Sequence, residues 1–213
     1  ELSNGIVKKV IVKANINHSY DENNIIPYST IEASFKSSNT SNVTYMDNMF
    51  KGCSNLTSLD VGSFDTSNVT DMNNMFNGCS GLTSLDVGSF DTSNVTKMSD
   101  MFNGCRSLTS LDVSRLDTSN VIYMDGMFDG CHSLTSVNIK PGTLHASIDF
   151  SNTRLTKANL LDIIFNAGFP SAVGNTIRFN NVRAQQEFTE EDIMTYIKPA
   201  IDKGWEIECD IPI

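Results

Sequence analysis

Tryptophan occurs once in this sequence, histidine three times and proline five times, and aromatic residues make up only 8% of its 213 positions. So few histidines, none spaced as in H-E-x-x-H, leave no zinc-hydrolase pattern, and G-x-S-x-G, P-loop and dinucleotide fingerprints are absent too, so the chain reads as a non-enzyme. Positive charge is also scarce. Lys and Arg total 15 against 25 Asp and Glu, a formal charge of −10, whereas nucleic acids and anionic membranes call for clustered basic charge. No apolar run approaches the ~20 residues a membrane span needs, so no membrane insertion is expected. No signal peptide is recognisable, and the expectation is a mature or trimmed fragment. The five cysteines are an odd number, a poor fit to a complete internal disulfide framework.

What the sequence does have is a repeat. Thr-Ser-Asn-Val opens segments at Thr40, Thr66, Thr92 and Thr118, 26 residues apart, and a weaker copy lies around Phe35. In the second copy Val69, Met72, Met75, Phe76 and Cys79 step by three, three, one and three, which predicts a helical or 3₁₀ segment. Leu85 and Val87 then step by two, the spacing of a short strand. Gly52, Gly78, Gly104 and Gly130 follow the helical stretch, where a positive φ would close it. Such a unit cannot bury its apolar side chains alone, but stacked units can. The reading is α/β: a leucine-rich-repeat-like solenoid with a continuous parallel sheet on one side, short helical or 3₁₀ segments opposite, and longer helices in the C-terminal units.

The spacing of Leu82, Leu85, Val87 and Phe90 resembles the leucine-rich repeat. The fuller pattern, M-x-x-M-F-x-G-C-x-x-L-x-x-L-D-V-x-x-F-D-T-S-N-V-T, resembles the repeat of BspA-like bacterial surface proteins over residues 40–139. That resemblance implies an exported protein displayed on a bacterial surface. It also implies adhesion, since some members of that family bind extracellular-matrix proteins.

Three regions follow: 1–39, an N-terminal cap with one degenerate repeat; 40–139, four repeats; and 140–213, strand–helix units closing the solenoid. In the cap, Val7–Ile16 reads as a strand and Asn17–Asn24 as a polar loop. Further on, Ser147–Phe150, Thr176–Phe179 and Trp205–Cys209 read as strands and Thr156–Asn166 as a helix. Thr189 with Asp192 resembles a capping box for a last helix that Pro199 should kink or shorten. The link from Val137–Ile139 to Ser147–Phe150 is short for a parallel crossover, which takes about a dozen residues.

Each candidate for chemistry has a plainer reading beside it. Cys53, Cys79, Cys105 and Cys131 share one inward column, close enough for disulfides, but their apolar surroundings favour free buried thiols. Eight of nine methionines form pairs from Met46/Met49 to Met124/Met127 and read as core rather than a soft-metal stripe. Asp60, Asp86 and Asp112 face outward, and Asp65, Asp91 and Asp117 open turns. Their mutual repulsion calls for Ser, Thr and Asn partners or for Ca²⁺, and no calcium-loop motif is present. Most N-x-[ST] sequons, at Asn17, Asn39, Asn42, Asn55, Asn68 and Asn94, follow from the repeat itself. Two outer columns vary between copies: Tyr45, Asp71, Lys97 and Tyr123; and Ser54, Ser80, Arg106 and His132. Tyr45, Lys97, Arg106, Tyr123 and His132 form the candidate recognition surface. His18 and His145 join no motif.

The expectation is therefore an extracellular adhesin-type module binding proteins or glycans, without catalytic residues, cofactor, metal or nucleic-acid partner. The alternative is a structural spacer within a larger surface protein.

Overall fold

The computed structural model describes residues 28–35, 38–180, 182–183 and 187–210, and the backbone of three short strands before them. The expected loop Asn17–Asn24, His18 and most of the Val7–Ile16 strand lie outside the described residues. Strands β1 (Leu2–Ser3) and β2 (Ile6–Val7) pair antiparallel. All other sheets are parallel: β3 (Lys9–Ile11), β4 (Glu32–Ser34) and β5 (Ser58–Asp60) form one, and β6 (Ser110–Asp112) and β7 (Ser136–Asn138) a second. A third joins β8 (Ile148–Asp149), β9 (Thr176–Arg178) and β10 (Glu206–Glu208). Helix α1 spans Lys157–Phe165. A second helical stretch runs as α2 (Glu190–Asp192), a π-helical turn (Ile193–Ile197) and α3 (Lys198–Asp202). The chain is α/β, built on small parallel sheets.

Successive repeats lie in register. Tyr45, Asp71, Lys97 and Tyr123 are joined by parallel bridges, each to the residue 26 positions on. Inside, like packs on like: Phe50, Phe76, Phe102 and Phe128 stack with centroids 5.6, 5.6 and 5.7 Å apart. All eight paired methionines are buried beside them. Thr40, Thr66 and Thr92, also buried, donate their hydroxyls to the carbonyls of Asp65, Asp91 and Asp117 at 2.9–3.0 Å. These bonds satisfy polar groups that burial would otherwise leave costly.

Two expectations need correction. The segment opposite the sheet is a series of turns, not a helix. From Met46 to Cys53 the amides alternate: Met46, Asn48, Phe50 and Gly52 donate to the next repeat at 2.7–2.9 Å, while Met49, Lys51 and Cys53 close turns on their own chain. An α-helix would keep every such bond within itself. The cause is a left-handed residue every fourth position: Asn48 (φ 57°) and Gly52 (φ 75°), then Asn74 and Gly78, Asp100 and Gly104, Gly126 and Gly130. Asn and Asp tolerate this conformation better than other side-chain-bearing residues. The strand line is also not one continuous sheet. Ser84–Leu85–Asp86 makes no ladder, and Leu85 is only half-buried where Leu59 and Leu111 are buried. The break follows Gly81, which lies so near the first repeat that a β-carbon there would stand 2.7 Å from the Ser54 carbonyl oxygen.

After the fourth repeat the two sides exchange roles. The Phe128 amide donates to Asp149 O (3.3 Å), and the Phe128 ring stacks on Phe150 at 5.3 Å. Strand β8 therefore extends the line of turns, not the line of β7. Seven residues suffice from Thr143 to Phe150, where Asp117 to Phe128 took eleven, because an extended chain advances about 3.3 Å per residue. That resolves the short link: no crossover back to the β7 line is made. On the far side α1 covers β7, capped by Thr156, which accepts from the Asn159 amide. The Asn159 side chain then takes the place of a further strand, accepting from Val137 N and donating to Val137 O, both at 2.9 Å. The expected capping box at Thr189 and Asp192 is present. Pro199 falls at the start of α3, just after the π-helical turn, where its missing N–H forbids a regular ladder.

Candidate functional site

The inward cysteine column is chemically quiet. Cys79, Cys105 and Cys131 are free, and each donates its S–H to a carbonyl of the preceding repeat, at Phe50, Phe76 and Phe102, 3.1–3.2 Å away. Burial pushes the Cys53 thiol up to about 11 and the Cys131 thiol up to about 12, and raises Cys79 and Cys105 as well. A thiol held protonated is a poor nucleophile and a poor metal ligand. Cys209 is half-buried and forms no disulfide.

The aspartate ladders are satisfied from within. Asp65, Asp91 and Asp117 accept from the hydroxyl and the backbone N–H of Ser67 and Ser93, and from the backbone N–H of Ser119. Hydrogen bonds from these serines, side chain first, hold all three carboxyls below the usual range, for Asp65 and Asp91 against the repulsion of the next aspartate in the stack. Asp60, Asp86 and Asp112 accept from the amides of Gly62, Gly88 and Ser114. Among the described residues no group of three His, Cys, Asp or Glu side chains is arranged to hold a metal ion. The sequon residues Asn68 and Asn94 also serve the stack, donating to Ser41 O and Ser67 O at 2.8 Å.

The varied outer residues fall on two separate columns. On the first, Tyr45 and Tyr123 are 46% and 52% exposed, with Ile122, next to Tyr123 in the chain, at 62%. Between the tyrosines Lys97 Nζ lies 2.9 Å from Asp71 Oδ2, a contact that raises the Lys97 pKa. The column thus offers two aromatic rings separated by a fixed ion pair. Arg106 and His132 occupy the second column, both exposed, and the His132 Nδ1 hydrogen-bonds Asn152 O at 2.9 Å. His132 also lines an open groove of about 1050 Å³ with Thr135, Arg154, Lys157, Arg183 and Glu187. Sequence reasoning missed Arg154, Lys157 and Arg183 because the 26-residue period ends before them. His145 lies apart, with its Nδ1 against Phe169 O.

Stacked short units with a nearly uniform interior and variable outer columns define a repeat protein. The particular family follows from residues 15–140, more than half of the chain: it belongs to the family described as "Mycoplasma protein of unknown function, DUF285". Searches of curated proteins and of solved structures each return no match. Among the described residues no helix is long and apolar enough to cross a membrane.

Proposed function

We propose that this chain is a non-enzymatic solenoid of the BspA-like type, exported to a bacterial surface, where it binds extracellular proteins or glycans. The observation that carries the reading is the contrast between interior and exterior. Core positions repeat almost without change, while the Tyr45–Asp71–Lys97–Tyr123 column differs at nearly every step and exposes its rings. A repeated position kept uniform serves stacking. Exposed tyrosines flanking a lysine instead supply the amphipathic area that recognition uses.

The test is a binding screen of the chain against matrix proteins and glycans. It is followed by a variant carrying Tyr45→Ala, Lys97→Ala, Arg106→Ala and Tyr123→Ala. Saturable binding that weakens at least tenfold in this variant is the expected result. No binding across the panel would replace the module with a spacer that holds another domain away from the cell.

A further inference from the structure

The second outer column is longer than the 26-residue period reveals. In each unit it stands four residues after the stacked phenylalanine. Phe50 and Phe76 are followed by Ser54 and Ser80, Phe102 by Arg106, and Phe128 by His132. The phenylalanine register continues past the repeats. Phe150 stacks on Phe128, 22 positions on, and the parallel pairing of Ile148 with Ile177 and Asp149 with Arg178 sets Phe179 beside Phe150, 29 positions further. Four residues after these come Arg154 and Arg183. Four consecutive coils therefore present Arg106, His132, Arg154 and Arg183 in one file, and the last three line the same groove. All four are exposed. Among the described residues no ion pair occupies Arg106, Arg154 or Arg183, whereas neighbouring Lys157 is tied to Asp192 at 2.7 Å.

We propose that this file binds a linear acidic polysaccharide, one bearing sulfate or uronate groups, laid along the stacking direction. The inference rests on the reading of the chain as a binding module and names its ligand class. Coils about 4.8 Å apart spread three arginines and a histidine over about 14 Å, which suits a chain of repeated negative charges better than a compact anion. Guanidinium groups match planar and tetrahedral oxyanions through paired hydrogen bonds. Between the basic side chains lie the exposed hydroxyls of Thr135 and Thr156, each making one bond within the protein and keeping a lone pair for a sugar hydroxyl. Among the described residues the groove offers no Phe, Tyr or Trp ring for stacking a nucleobase, and its single aliphatic residue, Leu155, is buried, so a peptide's apolar anchors find no pocket.

Immobilised heparin is the probe, with the full chain. The expected result is saturable binding that weakens as salt rises, falling at least tenfold in an Arg154→Ala, Arg183→Ala variant whose melting temperature matches the parent. An Arg115→Ala, Lys198→Ala variant, which removes the same charge elsewhere, should bind as the parent does. Absence of heparin binding, equal binding by the Arg154/Arg183 variant, or equal binding to polyglutamate would overturn the proposal, the last by assigning the file to acidic peptides. A matrix protein bound through the tyrosine column while heparin is ignored would remove this inference and leave the module standing.

Discussion

Asp65, Asp91 and Asp117 each sit one coil from a like charge, yet each carboxyl is held below the usual range because a serine two residues on donates to it. A depressed folded-state pKa means that the unfolded chain takes up protons first. The stabilisation is therefore fully present above the unfolded value of about 3.9 and is lost as pH falls through the folded values. On account of these groups the melting temperature should stay constant between neutrality and pH 5, and should drop below pH 4. A Ser67→Ala, Ser93→Ala, Ser119→Ala variant should show a shallower acid loss, and an unchanged slope by thermal melting would disprove the link. At this scale the interior was readable. Buried methionine, phenylalanine and cysteine positions follow directly from a periodic apolar pattern. The left-handed Asn48, Asn74 and Asp100 were harder, because φ is not a matter of hydrophobicity. The one available sign was Gly126 standing at their position in the fourth copy.

Among the elements, the spacing of apolar residues misled where two geometries share one period. Steps of three and four suit a helix, but they also suit consecutive turns whose alternate amides are passed to a neighbour, and the left-handed positions decide between them. The C-terminal helix and capping box were legible because their signals are local: Thr156 before α1, and Thr189 with Asp192 before α2. The exchange of sides after β7 was not, since it depends on which carbonyls the next coil meets. Asn159 is the residue that makes the exchange, covering the Val137 amide and carbonyl with one side chain. Asn159→Ala strips both bonds from a strand edge under a helix and should cost about 2 kcal/mol. Asn159→Asp should cost more, setting a carboxylate oxygen against the Val137 carbonyl. Chemical denaturation of the three proteins would check the order, and an Asp variant as stable as the parent would refute the role of the clamp.

For the molecule as a whole, stability is a sum over neighbours, since each repeat meets the next through the same stacked residues. Removal of residues 66–91 joins Asp65 to Thr92 and reproduces every interior contact one coil earlier. That deletion should fold cooperatively with a lower melting temperature, whereas removal of residues 66–78, half a unit, should abolish the folded circular dichroism signal. The file of three arginines and a histidine was only half visible at this scale, because Arg106 and His132 share the 26-residue period and Arg154 and Arg183 do not. In-register stacking also has a consequence for the gene. Near-identical coding segments laid head to tail are substrates for unequal recombination, and an exchange between them keeps the reading frame because whole codons are traded. Each such event changes the distance between the N-terminal strands and the C-terminal groove by one coil, about 4.8 Å, and leaves the groove's own residues untouched. Reach becomes a heritable quantity that can drift between lineages while the C-terminal groove stays fixed.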